Sequence, residues 1–270
     1  MKVRPGAGRW GRLRRTTQLA FAALYLALPL ANARGLRAVS GNLASLRLGP
    51  IELAEPAAAL TAALAAGAAA PLARLALAAA PAALLALLLG PVFCSWICPF
   101  GLVSEGLDRL LRRRSWTERA HERVRTPRLL ALGALLLGSV ALGVPLGALL
   151  QGPRAVTAVP QELFTVGATS SFSAGLLGAL LLLDLVLPRR LFCRALCPAG
   201  ALANFLRTRR TLRISSEPAR CSCADRPSCQ AACAWGVDPR RAGRFDGCTM
   251  CLACLDACPA GNLTVTHHPP

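Results

Sequence analysis

Four long apolar stretches limit most strongly how this chain can fold. They run from about Thr17 to Ala33, Pro71 to Val92, Leu129 to Leu150 and Ser171 to Leu187. Each is close to the ~20 residues that cross a bilayer as a helix. Only 16% of the residues are charged, fewer than the roughly 25% of a typical soluble domain. The sequence therefore predicts a mainly α membrane protein with four transmembrane helices.

A fifth apolar stretch, residues 51–70, is rich in alanine but begins with Glu52 and Glu55. A carboxylate inside lipid is costly. We therefore expect an external amphipathic or partly inserted segment here, and not a further span.

The arginines indicate the orientation of the four spans. Of 31 basic residues, 26 lie in residues 1–15, in residues 93–128 and after Leu187, whereas residues 34–70 and 151–170 hold four. Because basic residues concentrate on the cytoplasmic side, both termini and the central loop are predicted to be cytoplasmic in a bacterial inner membrane. This placement accounts for the net charge of +18, and we expect no nucleic-acid partner.

The amino terminus leaves one alternative open. Arg14 and Arg15 precede an apolar run that ends in Ala31-Asn32-Ala33, as in a cleavable signal peptide. Cleavage of residues 1–33 would not change the orientation of the later spans.

All twelve cysteines lie in segments predicted to be cytoplasmic, where reducing conditions favour metal sites over disulfides. Four of them form C-x2-C-x2-C-x3-C-P, the bacterial ferredoxin run, in which the fourth cysteine binds a second cluster. Four upstream cysteines, less regularly spaced, complete the second set. We predict one [4Fe–4S] cluster at Cys221, Cys223, Cys229 and Cys258, and another at Cys233, Cys248, Cys251 and Cys254.

Short β-type runs flank these cysteines. Residues 211–215 precede them and residues 263–266 follow them, and the two runs can pair as the terminal strands of a two-cluster fold. The chain is therefore divided into a four-span membrane domain, residues 1–210, and a small α+β ferredoxin-like domain, residues 211–268.

The remaining cysteines form a repeated pair, Cys94/Cys98 and Cys193/Cys197. Each pair directly follows an apolar stretch and continues as Cys-Pro-x-Gly, with 99 residues between the copies. The four spans are thus predicted to be two repeated hairpins whose cysteines meet near the inner membrane face. They could hold a third [4Fe–4S] cluster, act as two redox-active thiol–disulfide pairs, or be buried structural thiols.

Haem is not expected. The chain contains no Cys-x-x-Cys-His, and His121, His267 and His268 lie outside the spans. Iron–sulfur clusters are therefore the electron carriers that the sequence predicts.

Asp184 is the acidic residue that lies well inside a predicted span. Such a group could accept a proton released by quinol oxidation. It could equally hydrogen-bond a neighbouring helix. Glu52 and Glu55 are further candidates near the outer face.

Together these motifs resemble the NapH/MauN family of membrane ferredoxin-type proteins. The matching segments are Phe93–Gly101 with Arg112–Arg114 downstream, Leu183–Leu185, Cys193–Gly200, Ser40–Asn42 and the ferredoxin cysteines. The resemblance implies an electron-transfer subunit of a quinol dehydrogenase, acting between the quinone pool and a periplasmic iron–sulfur, reductase or dehydrogenase partner. It points to a nitrate-reductase-type or methylamine-utilisation-type system. A metal-reducing or maturation protein, and a cluster-based redox sensor or anchor, are the alternatives, and whether the chain is itself an enzyme stays open.

Overall fold

The computed structural model describes residues 8–35, 39–111, 125–186, 190–217, 221, 223, 228–240 and 247–267. Sequence predictions that fall on Arg112–Arg114, His121, Leu187 and His268 lie outside these residues. The described chain is mostly helical, as predicted.

The first half contains Arg9–Ala33 (α1), Pro56–Ala66 (α2), Leu72–Leu89 (α3), Val92–Trp96 (α4) and Pro99–Leu110 (α5). The second half contains Arg125–Leu142 (α6), Leu146–Leu149 (α7), Gly152–Val166 (α8), Ser171–Val186 (α9), Pro198–Phe205 (α10), Ser228–Ala231 (α11) and Ala253–Ala257 (α12). A π-helical turn, Phe192–Leu196, precedes α10. The four predicted apolar stretches fall on α1, α3, α6 and α9.

Five strands complete the described structure. Val39–Asn42 (β1), Ser45–Leu48 (β2) and Ile51–Ala54 (β3) form an antiparallel meander. Arg213–Ser216 (β4) and Leu263–Thr266 (β5) form an antiparallel pair. The predicted pairing of terminal strands around the ferredoxin cysteines is confirmed.

The helix of the third apolar stretch is shorter than predicted. It ends at Leu142, and the chain turns at Gly143, whose φ is +61°, before the short helix α7. Pro145 then precedes that helix without a backbone N–H to continue α6. The hydroxyl of Ser139 accepts the N–H of Leu146 at 3.2 Å and holds the turn against α6.

The fifth apolar stretch is divided between β3, α2 and a 3-10 turn at Gly67–Ala69. Glu55 caps α2: its carboxylate accepts the N–H of Ala58 at 2.9 Å, and Pro56 begins the helix. The acidic start is therefore explained by helix capping. The segment then turns back and packs against α6 and α7.

Among the described helices, α3 is the one long and apolar enough to cross a membrane; α6 and α9 are shorter apolar helices. The side chains of α3 lie mainly on the surface, with Leu77 77% exposed and Leu72 63% exposed. A core helix of a soluble protein would bury them. Exposed apolar surface of this extent suits contact with lipid or with another apolar partner.

Two apolar cores hold the fold together. One surrounds the Cys98 and Cys197 turns and includes Phe100 and Phe192. The other lies beneath β4 and β5 and includes Cys229 and Cys254. Each core is thus built directly around one set of cysteines.

Candidate iron–sulfur sites

The two repeated cysteine pairs meet in the structure. Cys94, Cys98, Cys193 and Cys197 line one cavity. Cys98 is the residue before α5 and Cys197 is the residue before α10, and each helix begins with proline. The two copies of the motif therefore place equivalent sulfurs at the starts of two helices.

Backbone N–H groups surround these sulfurs. Cys98 accepts from Gly101 and Phe100, and Cys197 accepts from Gly200 and Gly152. N–H donors and helix amino termini stabilise negative charge on a thiolate. Burial nevertheless raises the pKa of Cys98 and Cys197, and the N–H donors offset only part of that effect.

Gly152 allows helix α8 to approach Cys197 closely. A Cβ atom at this position would lie 2.8 Å from Cγ of Phe100 and 3.1 Å from Cε1 of Phe192. Those two rings pack edge to face, with centroids 5.2 Å apart. No local sequence pattern predicts this contact, because residues 151–170 are predicted to form an outer segment.

The ferredoxin cysteines lie near one another in the structure. Cys254 interacts electrostatically with Cys251, Cys248, Cys233 and Cys229, and Cys229 interacts with Cys258. Their division into two ligand sets stays a prediction. Left-handed backbone at Met250 and Leu252, with φ of +54° and +59°, winds the loop between the ligands. That Cys221 and Cys223 complete the second group stays a prediction.

Two thiols of the ferredoxin-like domain, Cys233 and Cys221, differ in acidity. Burial, reinforced by Cys251 and Cys248, raises the pKa of Cys233 to about 12. The N–H of Cys223 instead lowers the pKa of Cys221, with Arg240 acting in the same direction. Iron binding must therefore supply most of the energy that ionises Cys233.

All twelve cysteines are free thiols. Within the described ranges, no group of three or more histidine, cysteine, aspartate or glutamate side chains is spaced to hold a single metal ion. The ligands of a four-iron cluster stand around a cube, farther apart than the ligands of one ion. The all-thiol donor sets fit such a cluster chemically.

The first membrane cysteine motif contacts the ferredoxin loop directly. Trp96 Nε1 donates to the carbonyl of Met250 at 2.9 Å, and the hydroxyls of Ser95 and Thr249 hydrogen-bond each other. Ser95 and Trp96 lie between Cys94 and Cys98, and Thr249 and Met250 lie between Cys248 and Cys251. The two cysteine sets are therefore adjacent.

Helix α1 also contacts the ferredoxin-like domain. The carboxylate of Asp256 accepts the N–H of Trp10 at 3.2 Å and the N–H of Gly11 at 2.7 Å. Asp256 lies between Cys254 and Cys258, so it is a functional candidate that sequence reasoning missed. Farther along α1, Gln18 donates to the carbonyl of Ser95 at 2.9 Å.

A buried ionic cluster borders the membrane cysteine cavity. Glu105 pairs with Arg14 at 2.9 Å and with Arg109, and Arg190 pairs with Asp108 at 2.8 Å. Arg14, Glu105 and Arg190 also line the cavity. The ion pair between Arg14 and Glu105 thus holds the arginine-rich start of α1 against α5.

The acidic candidates have different surroundings. Asp184 is completely buried and accepts a hydrogen bond from Ser104 on α5 at 2.6 Å, which favours the structural interpretation. Glu52 pairs with exposed Arg74 at 2.7 Å, and this hydrogen bond lowers its pKa. Glu55 lines a second cavity beside Cys94.

The sequence was also compared with known proteins. A family profile described as a 4Fe-4S binding domain matches twice, at residues 71–116 and 171–215. The chain is 31% identical over 262 residues to the methylamine utilization ferredoxin-type protein MauN of Paracoccus denitrificans, covering 96% of this chain and 79% of that protein. It is 30% identical over 260 residues to the ferredoxin-type protein NapH of Haemophilus influenzae, covering 91% and 85%. No solved structure matches.

Fold, cysteine sites and relatives together define an iron–sulfur electron-transfer protein. Its ferredoxin-type domain and its repeated cysteine motifs are joined by direct contacts. Within that class, the chain belongs to the MauN/NapH family of ferredoxin-type proteins.

Proposed function

We propose that the membrane domain, residues 1–210, is built from two repeated hairpins with four spans, and that residues 211–268 form the cytoplasmic ferredoxin-like domain. The family profile supports the repeat, because its two matches each contain one apolar helix and one cysteine pair. The arginine distribution supports cytoplasmic termini and cysteines in the inner membrane. α1, α3, α6 and α9 are the proposed spans.

We further propose that Cys94, Cys98, Cys193 and Cys197 bind a third [4Fe–4S] cluster. Their meeting around one cavity, with backbone donors on Cys98 and Cys197, favours a cluster over two separate thiol–disulfide pairs. When bound, such a cluster supplies one-electron transfer. The protein contributes the thiolates, the N–H donors and an apolar wall that excludes water.

The chain then moves electrons from quinol towards a periplasmic redox partner of a nitrate-reductase-type or methylamine-utilisation-type system. The observation that carries this proposal is the direct contact of Ser95 and Trp96 with the ferredoxin loop, which connects the membrane cysteines to the cytoplasmic clusters. Two segments predicted to start outside also reach these cysteines, since Gly152 donates to Cys197 and Glu55 lines a cavity beside Cys94. Cytoplasmic cysteines therefore require α2 and α8 to re-enter the membrane domain from the outer side.

The experiment is to purify the chain with its clusters and to add quinol anaerobically, with and without a periplasmic iron–sulfur partner. We expect quinol to bleach the cluster absorption. Reoxidation should then require the partner. Absence of bleaching would overturn the proposed function, and reduction of a partner disulfide or bound metal would favour the maturation alternative.

Cluster number is tested separately by the double variant Cys94→Ser, Cys193→Ser. We expect the loss of about four irons and retention of the ferredoxin-domain clusters. The matched control, Cys221→Ser with Cys223→Ser, should remove a different cluster, distinguishable by its electron paramagnetic resonance spectrum. Unchanged iron content in the first variant would exclude the third cluster.

A further inference from the structure

A second cavity of about 350 Å³ lies beside the first cysteine motif. Its walls are apolar side chains of α3, of the β1–β3 meander and of α10, with Glu55 and Cys94 also in the wall. Volumes of this size and an apolar lining with few polar groups are typical of small-molecule sites. It adjoins the cavity that all four cysteines line, and Phe93, Cys94 and Ala199 border both.

The cavity borders the surface proposed to face lipid. Leu85 lines it and is 57% exposed, and Leu84 and Leu88 beside it on α3 are 56% and 46% exposed. A ligand dissolved in the bilayer could therefore enter from the side. Its apolar tail would lie along the leucines of α3.

Glu55 is the acidic group in the cavity wall, and it is held in a fixed position. Its Oε2 accepts the N–H of Ala58 at 2.9 Å and an N–H of Gln151 at 2.5 Å. A carboxylate so held can accept a hydrogen bond from a ligand hydroxyl. Asp184, by contrast, is not part of this wall.

We propose that this cavity binds the ring of a membrane hydroquinone, with Glu55 accepting the hydrogen bond, and then the proton, of a ring hydroxyl. This assignment rests on the proposed quinol-linked function and gives it a substrate site. Oxidation of the hydroquinone breaks two O–H bonds and releases two protons and two electrons. Glu55 takes the protons in turn and releases each to solvent. A [4Fe–4S] cluster held by Cys94 and its three partner cysteines would accept the electrons one at a time.

Binding is tested without turnover by photolabelling the purified chain with a short-chain azidoquinone and mapping the labelled peptides. We expect label on α3 and on residues 43–56. Ala86→Phe fills the cavity and should reduce labelling at least tenfold. Ala80→Phe, on an exposed position of the same helix, is the matched control and should label normally. Ala82→Phe, from the same wall, is a second cavity-filling variant if Ala86→Phe does not fold.

Glu55→Gln keeps an oxygen for the Ala58 N–H but loses the charge. We expect about tenfold weaker competition by the reduced, hydroquinone form of the probe, and no change for Glu52→Gln, whose side chain faces Arg74. Label outside the cavity, normal labelling of both cavity-filling variants, or equal effects of the two glutamine variants would overturn the assignment. Cavity labelling without cluster bleaching would overturn the quinol-linked function alone, whereas bleaching with label elsewhere would overturn the site alone.

Discussion

Removing the carboxylate of Asp256 should separate the start of α1 from the ferredoxin-like domain. Asp256 accepts two backbone N–H groups at the amino terminus of this helix. Loss of such a cap costs about 1 kcal/mol, and loss of a charge at a helix amino terminus costs up to about 1 kcal/mol more. Asp256→Ala should therefore weaken the contact by about 1–2 kcal/mol, or roughly 5- to 30-fold in its equilibrium.

Hydrogen–deuterium exchange of the Trp10 and Gly11 amides measures this change. Their exchange should accelerate roughly 5- to 30-fold in Asp256→Ala, and by a smaller factor in Asp256→Asn, which keeps an acceptor oxygen. Iron content must equal that of the wild type, because Asp256 lies between Cys254 and Cys258. Wild-type exchange rates in an iron-replete Asp256→Ala protein would refute the capping argument.

The same contact can be disturbed from the side of α1. A Cβ atom on Gly8 would lie 2.2 Å from Cγ of Asp256, so Gly8→Ala should also accelerate exchange at Trp10. Because both substitutions break one interaction, the double variant should be less than additive. Full additivity would show that they act at separate places.

Three further outcomes are expected. Gly152→Ala forces a Cβ atom against Phe100 and should lower the free energy of unfolding by about 1–3 kcal/mol, measured by thermal unfolding. Gly175→Ala, whose Cβ meets open space, is the control. Equal stability of the two variants would contradict the packing at Gly152. Trp96→Phe removes the 2.9 Å hydrogen bond to Met250 and should accelerate amide exchange in residues 248–251 about fivefold. Unchanged exchange would show that this hydrogen bond does not stabilise the loop. Hydrogen bonds from Ser173 and Ser170 lower the pKa of Glu162, so its stabilisation is present above the unfolded pKa of about 4.3 and is lost as pH falls through the lower folded value. Glu162→Gln should therefore melt below the wild type at pH 7, with the difference closing at acidic pH; a difference that persists there would point to another cause.

Local patterns predicted much of the fold. Helices α3 and α9 begin and end close to the limits of their apolar stretches, because hydrophobicity sets both. Gly143 and Pro145 are typical of a helix end. The prediction nevertheless extended the helix beyond them, because the residues that follow are also apolar. The starting point of α1 at Arg9 was missed because arginines precede its apolar part.

The long-range contacts that form the sites could not be predicted from local sequence patterns. The hydrogen bond between Trp10 and Asp256 joins residues that are 246 apart in sequence. The local sequence around either residue does not predict this contact. The position of Glu55 in a cavity wall depends on β3 and α2 folding back together. Cysteine spacing predicted a ferredoxin-type region, whereas the donors around Cys197 depend on packing between distant helices.

The hydrogen bond between Trp10 and Asp256 also determines when the start of α1 acquires its acceptor during synthesis. Ribosomes make α1 well before Asp256, so the helix start lacks its acceptor until the ferredoxin-like domain has been synthesised. The acceptor then lies on the short helix α12, between two cysteines proposed to bind iron. Until the segment around Asp256 has folded, the N–H groups of Trp10 and Gly11 lack this acceptor, so the first turn of α1 is the part of that helix most dependent on the ferredoxin-like domain.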